Sequence, residues 1–411
     1  MSETVNFDPF APETIAAGPS AYSKLAKQCP VYRYRSEFDF FIDSDYREIK
    51  DSILKDHATW TFRHGPGPRD VGVTNESGLV TDPPVHEPFR LVIQRAFSAT
   101  KLAKLAEDID RIADELIGKI LDDPKGEGDF YQLFAVPLPS RMMCIMLGAP
   151  EANYLKYKAW ADTHFFLTMN SPVVGAENDV THEFGQDFFG LIQERRDMLH
   201  QLGIETPTPE HVGTVLPDDL MSRFICDRVQ GRLLNDLEIL GLGVAILLGG
   251  NETTMNLIGN LLWRLLEVPS RWEMLKANPA LIEGAIEESL RFDPPVLGMF
   301  RKATNAVELG GCPVPASARV MYNIAGANRD PNIWSDPEDF RLDRPKDTQR
   351  KHLSFGGGNH LCLGFQLVRM EVKLVFEKLI DRMPDLRLAG PTERAQGFNV
   401  WGRRFLPVAW R

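Results

Sequence analysis

The chain has 411 residues, 43% hydrophobic and 25% charged, an ordinary globular composition. Its formal net charge of -11 repels phosphate and argues against nucleic acid as a main partner. No stretch reaches the roughly 20 apolar residues that span a bilayer, so no membrane association is expected.

The amino-terminal MSETVNFDPFAPETIAAGPSAY lacks a basic region ahead of an apolar run. No secretory leader is therefore expected, and the expected location is cytoplasmic. Five scattered cysteines (Cys29, Cys144, Cys226, Cys312, Cys362) suit a reducing compartment better than a disulfide framework.

In chain order, the first strand signal is VYRYRSEFDFFI, from Val31 to Ile42. In DPPVHEPFR, His86 and Arg90 lie four apart and would project together from a helix. Pro88 fits only in a first turn, so that helix should begin near His86. Helical patterns then dominate from about Phe89 to Phe292. Arg301 follows the apolar run PVLGMF at a strand entry, and AVELGGCPVPASARVMYNI reads as strand, turn, strand. Helices with small strand patches and no βαβ alternation give a mainly α fold with a small β-sheet region.

One helix stands apart. NDLEILGLGVAILLGGNETTMNLIGNLLWRLLEVP opens on Asn235 and Glu238, a capping-box pair, and is stopped by Pro269. About 30 residues make a rod of roughly 45 Å. It is apolar nearly all round and should be buried. Its middle is nevertheless GGNETT. Two glycines each cost about 1 kcal/mol relative to alanine in a helix, and Glu252 needs a partner if buried. Something flat or bulky should press on the backbone there, faced by Glu252 and Thr253. Further on, in EESLRFDPP, Glu288 and Arg291 share a helix face.

The stretch FGGGNHLCLGFQLVRMEV puts three glycines ahead of one cysteine, and an amphipathic pattern follows it. Cys362 thus sits at a helix N-terminus, where free N–H groups favour a thiolate. A lone thiolate is no zinc site. A cysteine nucleophile assisted by His360 and a proximal haem ligand both remain open on this chemistry.

The sequence resembles the cytochromes P-450 in their soluble bacterial form, over nearly its whole length. FGGGNHLCLG matches F-x-x-G-x-x-x-C-x-G at Phe355, Gly358, Cys362 and Gly364. GGNETT matches the acid–alcohol stretch of the long distal helix, ESLR matches E-x-x-R, and ANRDP with WSDPEDFRLDR matches the meander before the haem loop. The resemblance implies a cytochrome P-450 fold, a triangular haem-thiolate domain occupying residues 1–411 with no fused reductase. It implies haem b held by Cys362 as axial ligand. His86, Arg90, Arg301 and His360 would hold the propionates, and Phe355, Gly358 and Gly364 would shape the ligand loop. Glu252 and Thr253 would deliver protons, Glu252 standing where relatives often carry Asp. Gly249 and Gly250 would leave room above the haem. Ala245, Gly249, Val296, Leu297, Met299, Phe398, Val400 and Trp401 would line a substrate pocket, with Phe165 and Phe166 in its lid.

The implied activity is monooxygenation: O2 and two external electrons hydroxylate or O-dealkylate a small-to-medium hydrophobic substrate. The implied electron source is a ferredoxin with its NAD(P)H-dependent reductase, docking on a basic rim drawn from Arg344, Lys346, Arg350, Lys351 and Arg369. A monomer is expected. The same ligand also suits a peroxygenase, isomerase or dehydratase, or a haem sensor. The intact acid–alcohol pair and the lack of a visible output segment favour the monooxygenase.

Overall fold

The computed structural model describes residues 5–70, 72, 77–169 and 180–411, without the side chains of 165–169 and 180–182. VYRYRSEFDFFI, expected as one strand, is two. Strands β1 (Val31–Arg35) and β2 (Asp39–Asp43) form an antiparallel hairpin with Val31 opposite Asp43. The turn, closed by Ser36 N–H donating to the Phe38 carbonyl (2.9 Å), holds no Gly, Pro or Asn and so left no mark in composition.

Strands β3 (Trp60–Thr61), β4 (Gly298–Ala303) and β5 (Arg319–Asn323) complete a sheet of order β1-β2-β5-β4-β3. Strand β5 runs parallel to β2 and antiparallel to β4. Alternation sorts its side chains. Phe40, Ile42, Phe300 and Met321 fill one apolar cluster, while Phe41, Val320 and Tyr322 fill the other. Met299 and Arg301 therefore share a face, across from Tyr322 and Val320.

The helices form a separate core. Helix α1 (His86–Gln94) starts where Pro88 requires. Helix α2 (Ala99–Asp122) buries Ile109, Ile112, Ala113, Leu116, Ile117 and Ile120, at spacings of one, three and four residues. Each large aliphatic side chain removed from water there contributes about 1.5–3 kcal/mol. Helices α3 (Pro137–Leu147), α4 (Tyr154–Met169) and α5 (Val180–Gln201) follow.

The expected single rod is two helices, α6 (Asp236–Gly250) and α7 (Glu252–Leu266), broken at Asn251 with φ -85° and ψ -75°. The capping box at Asn235 and Glu238 is formed. At the break, Thr253 Oγ1 donates to the Gly249 carbonyl (2.6 Å), and the Ser140 hydroxyl donates to Asn251 Oδ1 (2.8 Å). The two glycines differ. A Cβ on Gly249 would meet nothing within 4 Å, whereas one on Gly250 would lie 2.4 Å from Met143 Sδ. Room beside the break exists at Gly249 only, because α3 fills the notch at Gly250.

Helix α8 (Ile282–Phe292) carries the E-x-x-R pair, and helix α9 (Phe365–Arg382) follows the ligand loop and packs on α2 and α8. Among the described residues, no helix is long and apolar enough to cross a membrane.

Helix α9 holds an unusual acid. Glu371 is 1% exposed and its Oε1 has no hydrogen-bond partner. Burial pushes its pKa up to about 8. Between pH 5 and 8 the folded form keeps a proton that the unfolded chain has released, so this group's contribution to stability falls as pH rises. Glu371→Gln removes that loss. The variant's thermal advantage over wild type is expected to grow between pH 5 and 8, by roughly 1 kcal/mol per unit. Equal thermal shifts at both pH values would show that the buried carboxyl is not held protonated.

Candidate active site

The ligand loop is pinned from behind. Asn328 Oδ1 accepts from Leu353 N–H (2.7 Å), its Nδ2 donates to Ser354 Oγ (2.9 Å), and Ser354 Oγ donates to the Leu290 carbonyl (2.6 Å). Gly356 and Gly358 take positive φ values of 67° and 59°. At Gly358 a Cβ would sit 1.9 Å from the Leu54 carbonyl oxygen, so only glycine lets this loop lie against the segment before β3.

The loop closes on itself where Cys362 N–H donates to the Phe355 carbonyl (2.9 Å). Helix α9 begins three residues later. Burial raises the Cys362 thiol pKa, while the N–H groups of Gly364 and Phe365 and the guanidinium groups of Arg90 and Arg369 oppose it.

Arg369 lies 4.6 Å over the Phe355 ring and is gripped by Glu287 at 2.5 and 2.8 Å. Glu287 also faces His352 Nε2 (2.9 Å). Burial alone would raise the Glu287 pKa, but Arg369 and His352 hold its carboxyl down to about 2. Beside it, Arg291 grips Glu288 with two 2.8 Å bonds and donates to the carbonyls of Asn328, Pro337 and Asp339. Arg344 Nε completes the group at 2.7 Å from Glu288 Oε2.

This corrects the reading of Arg344 as part of an exposed rim: it is buried inside the meander it anchors. Arg369 is likewise committed to Glu287. Lys346, Arg350 and Lys351 are exposed.

His86, Arg90, Arg301 and His360 come from α1, β4 and the ligand loop and meet in one cluster. The two imidazoles are 4.3 Å apart, and Arg301 lies 4.2 Å over Phe62, itself 4.8 Å from His360. Asp82 is the acid nearby, 3.8 Å from His360 and bonded by the Phe62 N–H (3.0 Å) and the Thr61 hydroxyl. Burial and the charges of His360 and Arg90 push the His86 pKa down to about 3. Arg301 is buried, and among the described residues neither it nor Arg90 pairs with a carboxylate. His86 Nδ1 and His360 Nε2 are buried without hydrogen-bond partners. Two guanidinium groups without a carboxylate, one of them buried, call for anions.

On the other side of the site, Glu252 accepts from Asn256 Nδ2 (3.2 Å) and lies 3.7 Å from Lys158 Nζ. Lys158 and its partner Asp162 sit on α4, about 90 residues away in sequence. Sequence reading missed both, because an i, i+4 ion pair on a helix looks like any solvated face.

The pocket residues divide. Ala245, Gly249, Val296 and Met299 keep part of their surface. Leu297, Phe398 and Trp401 belong to the apolar core against the sheet. The Phe398 ring is 4.4 Å from Phe10, and Trp401 Nε1 donates to Asp293 Oδ1 (2.8 Å) beneath the Arg403 guanidinium. Val400 is buried and pairs with Val296 through a β-bridge. The side chains of Leu297, Phe398 and Trp401 thus take part in core packing, and the backbone bridge sets Val400 beside Val296. The side chains of Phe165 and Phe166 lie outside the described residues.

A porphyrin bearing two carboxylates and an iron answers both needs at once: acids for the guanidinium groups without a carboxylate, and a metal for a buried sulfur whose thiolate form Arg90, Arg369 and two backbone N–H groups support against burial. Fold and site together define a haem-thiolate protein. The comparisons with known proteins agree. Residues 271–383 match the family model described as Cytochrome P450. The chain is 30% identical to nocardicin C N-oxygenase of Nocardia uniformis subsp. tsuyamanensis, covering 95% of this chain and 94% of that protein. It is 31% identical to the erythromycin C-12 hydroxylase of Saccharopolyspora erythraea, covering 87% and 86%. It superposes on a mutant of P450 EryK in complex with erythromycin B with a TM-score of 0.82 at 28% identity, covering 98% and 97%. The chain belongs to the cytochrome P450 family; it binds haem b and is a haem-thiolate monooxygenase acting on organic substrates.

Proposed function

We propose that residues 1–411 act as one haem domain that hydroxylates, or O-dealkylates, a small-to-medium hydrophobic molecule in the cytoplasm. The observation that carries the assignment of residues is the cluster of two guanidinium groups, Arg90 and Arg301, with the two imidazoles of His86 and His360, and Asp82 as its acid.

These four side chains hold the propionates, and Cys362, shielded by the loop from Phe355 to Gly364, holds the iron. Bound haem supplies the one-electron and dioxygen chemistry. Gly249 leaves space beside the helix break, and Ala245, Val296 and Met299 offer an apolar wall. The Thr253 hydroxyl, fixed on the Gly249 carbonyl, and the Glu252 carboxyl behind it bring protons to that space.

Relatives named for oxidising nocardicin C and erythromycin support an organic substrate of that general kind. Electrons come from a ferredoxin and its NAD(P)H-dependent reductase, docking near Lys346, Arg350 and Lys351, and the working unit is a monomer. Substrates are found by scoring a panel of hydrophobic compounds for the low-spin to high-spin shift of the ferric haem.

With a substrate so found, Thr253→Ala tests the proton role. Positioned proton transfer contributes roughly 10²–10⁴-fold, so product formed per NAD(P)H is expected to fall at least about tenfold, with hydrogen peroxide appearing instead. Unchanged coupling would remove Thr253 from the proton route.

A further inference from the structure

Strands β6 (Glu393–Arg394) and β7 (Arg403–Phe405) form a short antiparallel hairpin near the carboxyl end. Arg394 stands directly opposite Arg403, so the two side chains leave the hairpin on one face. Like charges in that arrangement repel. Both guanidinium groups gather at Trp401, 5.1 and 5.0 Å from its ring, and Arg403 also lies 3.6 Å over the ring of Trp263 on α7.

Neither guanidinium has an acid. Arg403 is 6% exposed, its Nε and Nη2 are buried without hydrogen-bond partners, and so are Arg394 Nη1 and Nη2. Arg403 Nη1 makes one long contact, to the Thr392 hydroxyl at 3.5 Å. The carboxylates nearby are taken: Asp293 by Arg264, and Glu267 by Arg264 and Arg271. Among the described residues, neither Arg394 nor Arg403 forms an ion pair with a carboxylate. The aromatic faces attract both cations, but a guanidinium stacked on a ring directs its N–H groups outward past the ring edge. Two such groups left without acceptors destabilise the fold unless an anion meets them.

We propose that Arg394 and Arg403 form a binding site for a phosphate group, free or as a monoester, separate from the cluster assigned to the haem propionates. A phosphate dianion matches the two positive charges, whereas one carboxylate leaves one of them unmet. Its oxygens suit the forked N–H edges of two guanidinium groups at once. The Thr392 hydroxyl stands beside them as a further donor. Arg394 and Thr392 keep part of their surface, so the site opens to solvent at that end. Burial lowers the pKa of both arginines, that of Arg403 to about 10 with the charges of Arg264 and Arg394 adding to the effect against Asp293, and both stay charged at neutral pH. A phosphate held here ties the carboxyl-terminal hairpin to α7.

The test titrates inorganic phosphate into the haem-loaded enzyme in chloride buffer at fixed ionic strength, read by isothermal calorimetry and by the thermal unfolding midpoint. The propionates are in place in that protein, so the haem cluster already has its anions. One phosphate per chain is expected to bind with a dissociation constant below about 1 mM, and the midpoint should rise with phosphate. Arg394→Gln, at the open end, should weaken binding at least about tenfold and flatten that rise, with haem absorbance and circular dichroism unchanged. Arg403→Gln should weaken it at least as much; if that variant does not fold, Arg394→Gln decides alone. Glycerol phosphate binding more tightly than phosphate would identify a monoester as the occupant, and the reverse order the free ion. The site is overturned if phosphate shows no saturable binding, or if binding survives Arg394→Gln unchanged. Acetate held as tightly as phosphate would overturn the assignment to a dianion.

Discussion

A Cys362→Ser protein is expected to keep its fold and lose its oxygenase activity. The loop that presents residue 362 is held by Asn328, Ser354 and the Cys362 N–H to Phe355 carbonyl bond, and none of these uses the sulfur. The exchange therefore alters the ligand and leaves its mounting in place. Changes to groups that merely support a metal ligand cost roughly 10–100-fold. Loss of the ligand itself is expected to exceed that range.

Two measurements check this. The reduced carbon monoxide complex of wild type should show the red-shifted band of sulfur ligation, and the Ser variant should not. Far-ultraviolet circular dichroism should be the same for both. A variant that keeps the red-shifted band would place the iron on another group and undo the site assignment.

Glu288→Gln should do the opposite, removing the fold while touching no reacting group. Among the described residues, Glu288 is the one carboxylate bonded to the buried guanidinium groups of Arg291 and Arg344. The amide keeps the shape and withdraws the negative charge, so both cations stay buried without it. Breaking a buried pair costs about 3–5 kcal/mol, against a total stability of about 5–15 kcal/mol. The variant should accumulate poorly, and its urea midpoint, followed by haem absorbance and circular dichroism together, should fall sharply. Lys346→Gln, on the exposed side of the same segment, should change stability by less than about 0.5 kcal/mol. Equal midpoints for the two variants would show that the meander does not depend on this charge group.

These two sites were not equally legible in the sequence. The ligand loop could be read because its parts are consecutive: glycines, cysteine and helix start fall within ten residues and each has a local cause. Glu288 and Arg291 share one turn and could be read for the same reason. Arg344 could not. A charged residue in a polar loop looks solvated until the fold closes over it, and only the path of the meander carries it to Glu288.

Distance in the chain hid other features too. Lys158 meets Glu252 across two helices, and no pattern on either announces the meeting. A disturbance at GGNETT was visible because glycine and buried acid contradict an apolar rod, but which glycine faces open space depends on where Met143 lies. Phe398 and Trp401 were read as pocket because aromatic side chains suit a pocket and a core equally; their contacts with Phe10 and Asp293, both remote in sequence, could not be read.

The seating of Met143 against Gly250 has a consequence for how this protein can change. The thioether occupies the volume that any side chain at 250 would need, so the two positions behave as one variable. A larger residue at 250 demands a shorter one at 143, and neither substitution alone samples what the pair can reach. Libraries aimed at reshaping the helix break would gain most by randomising both codons together.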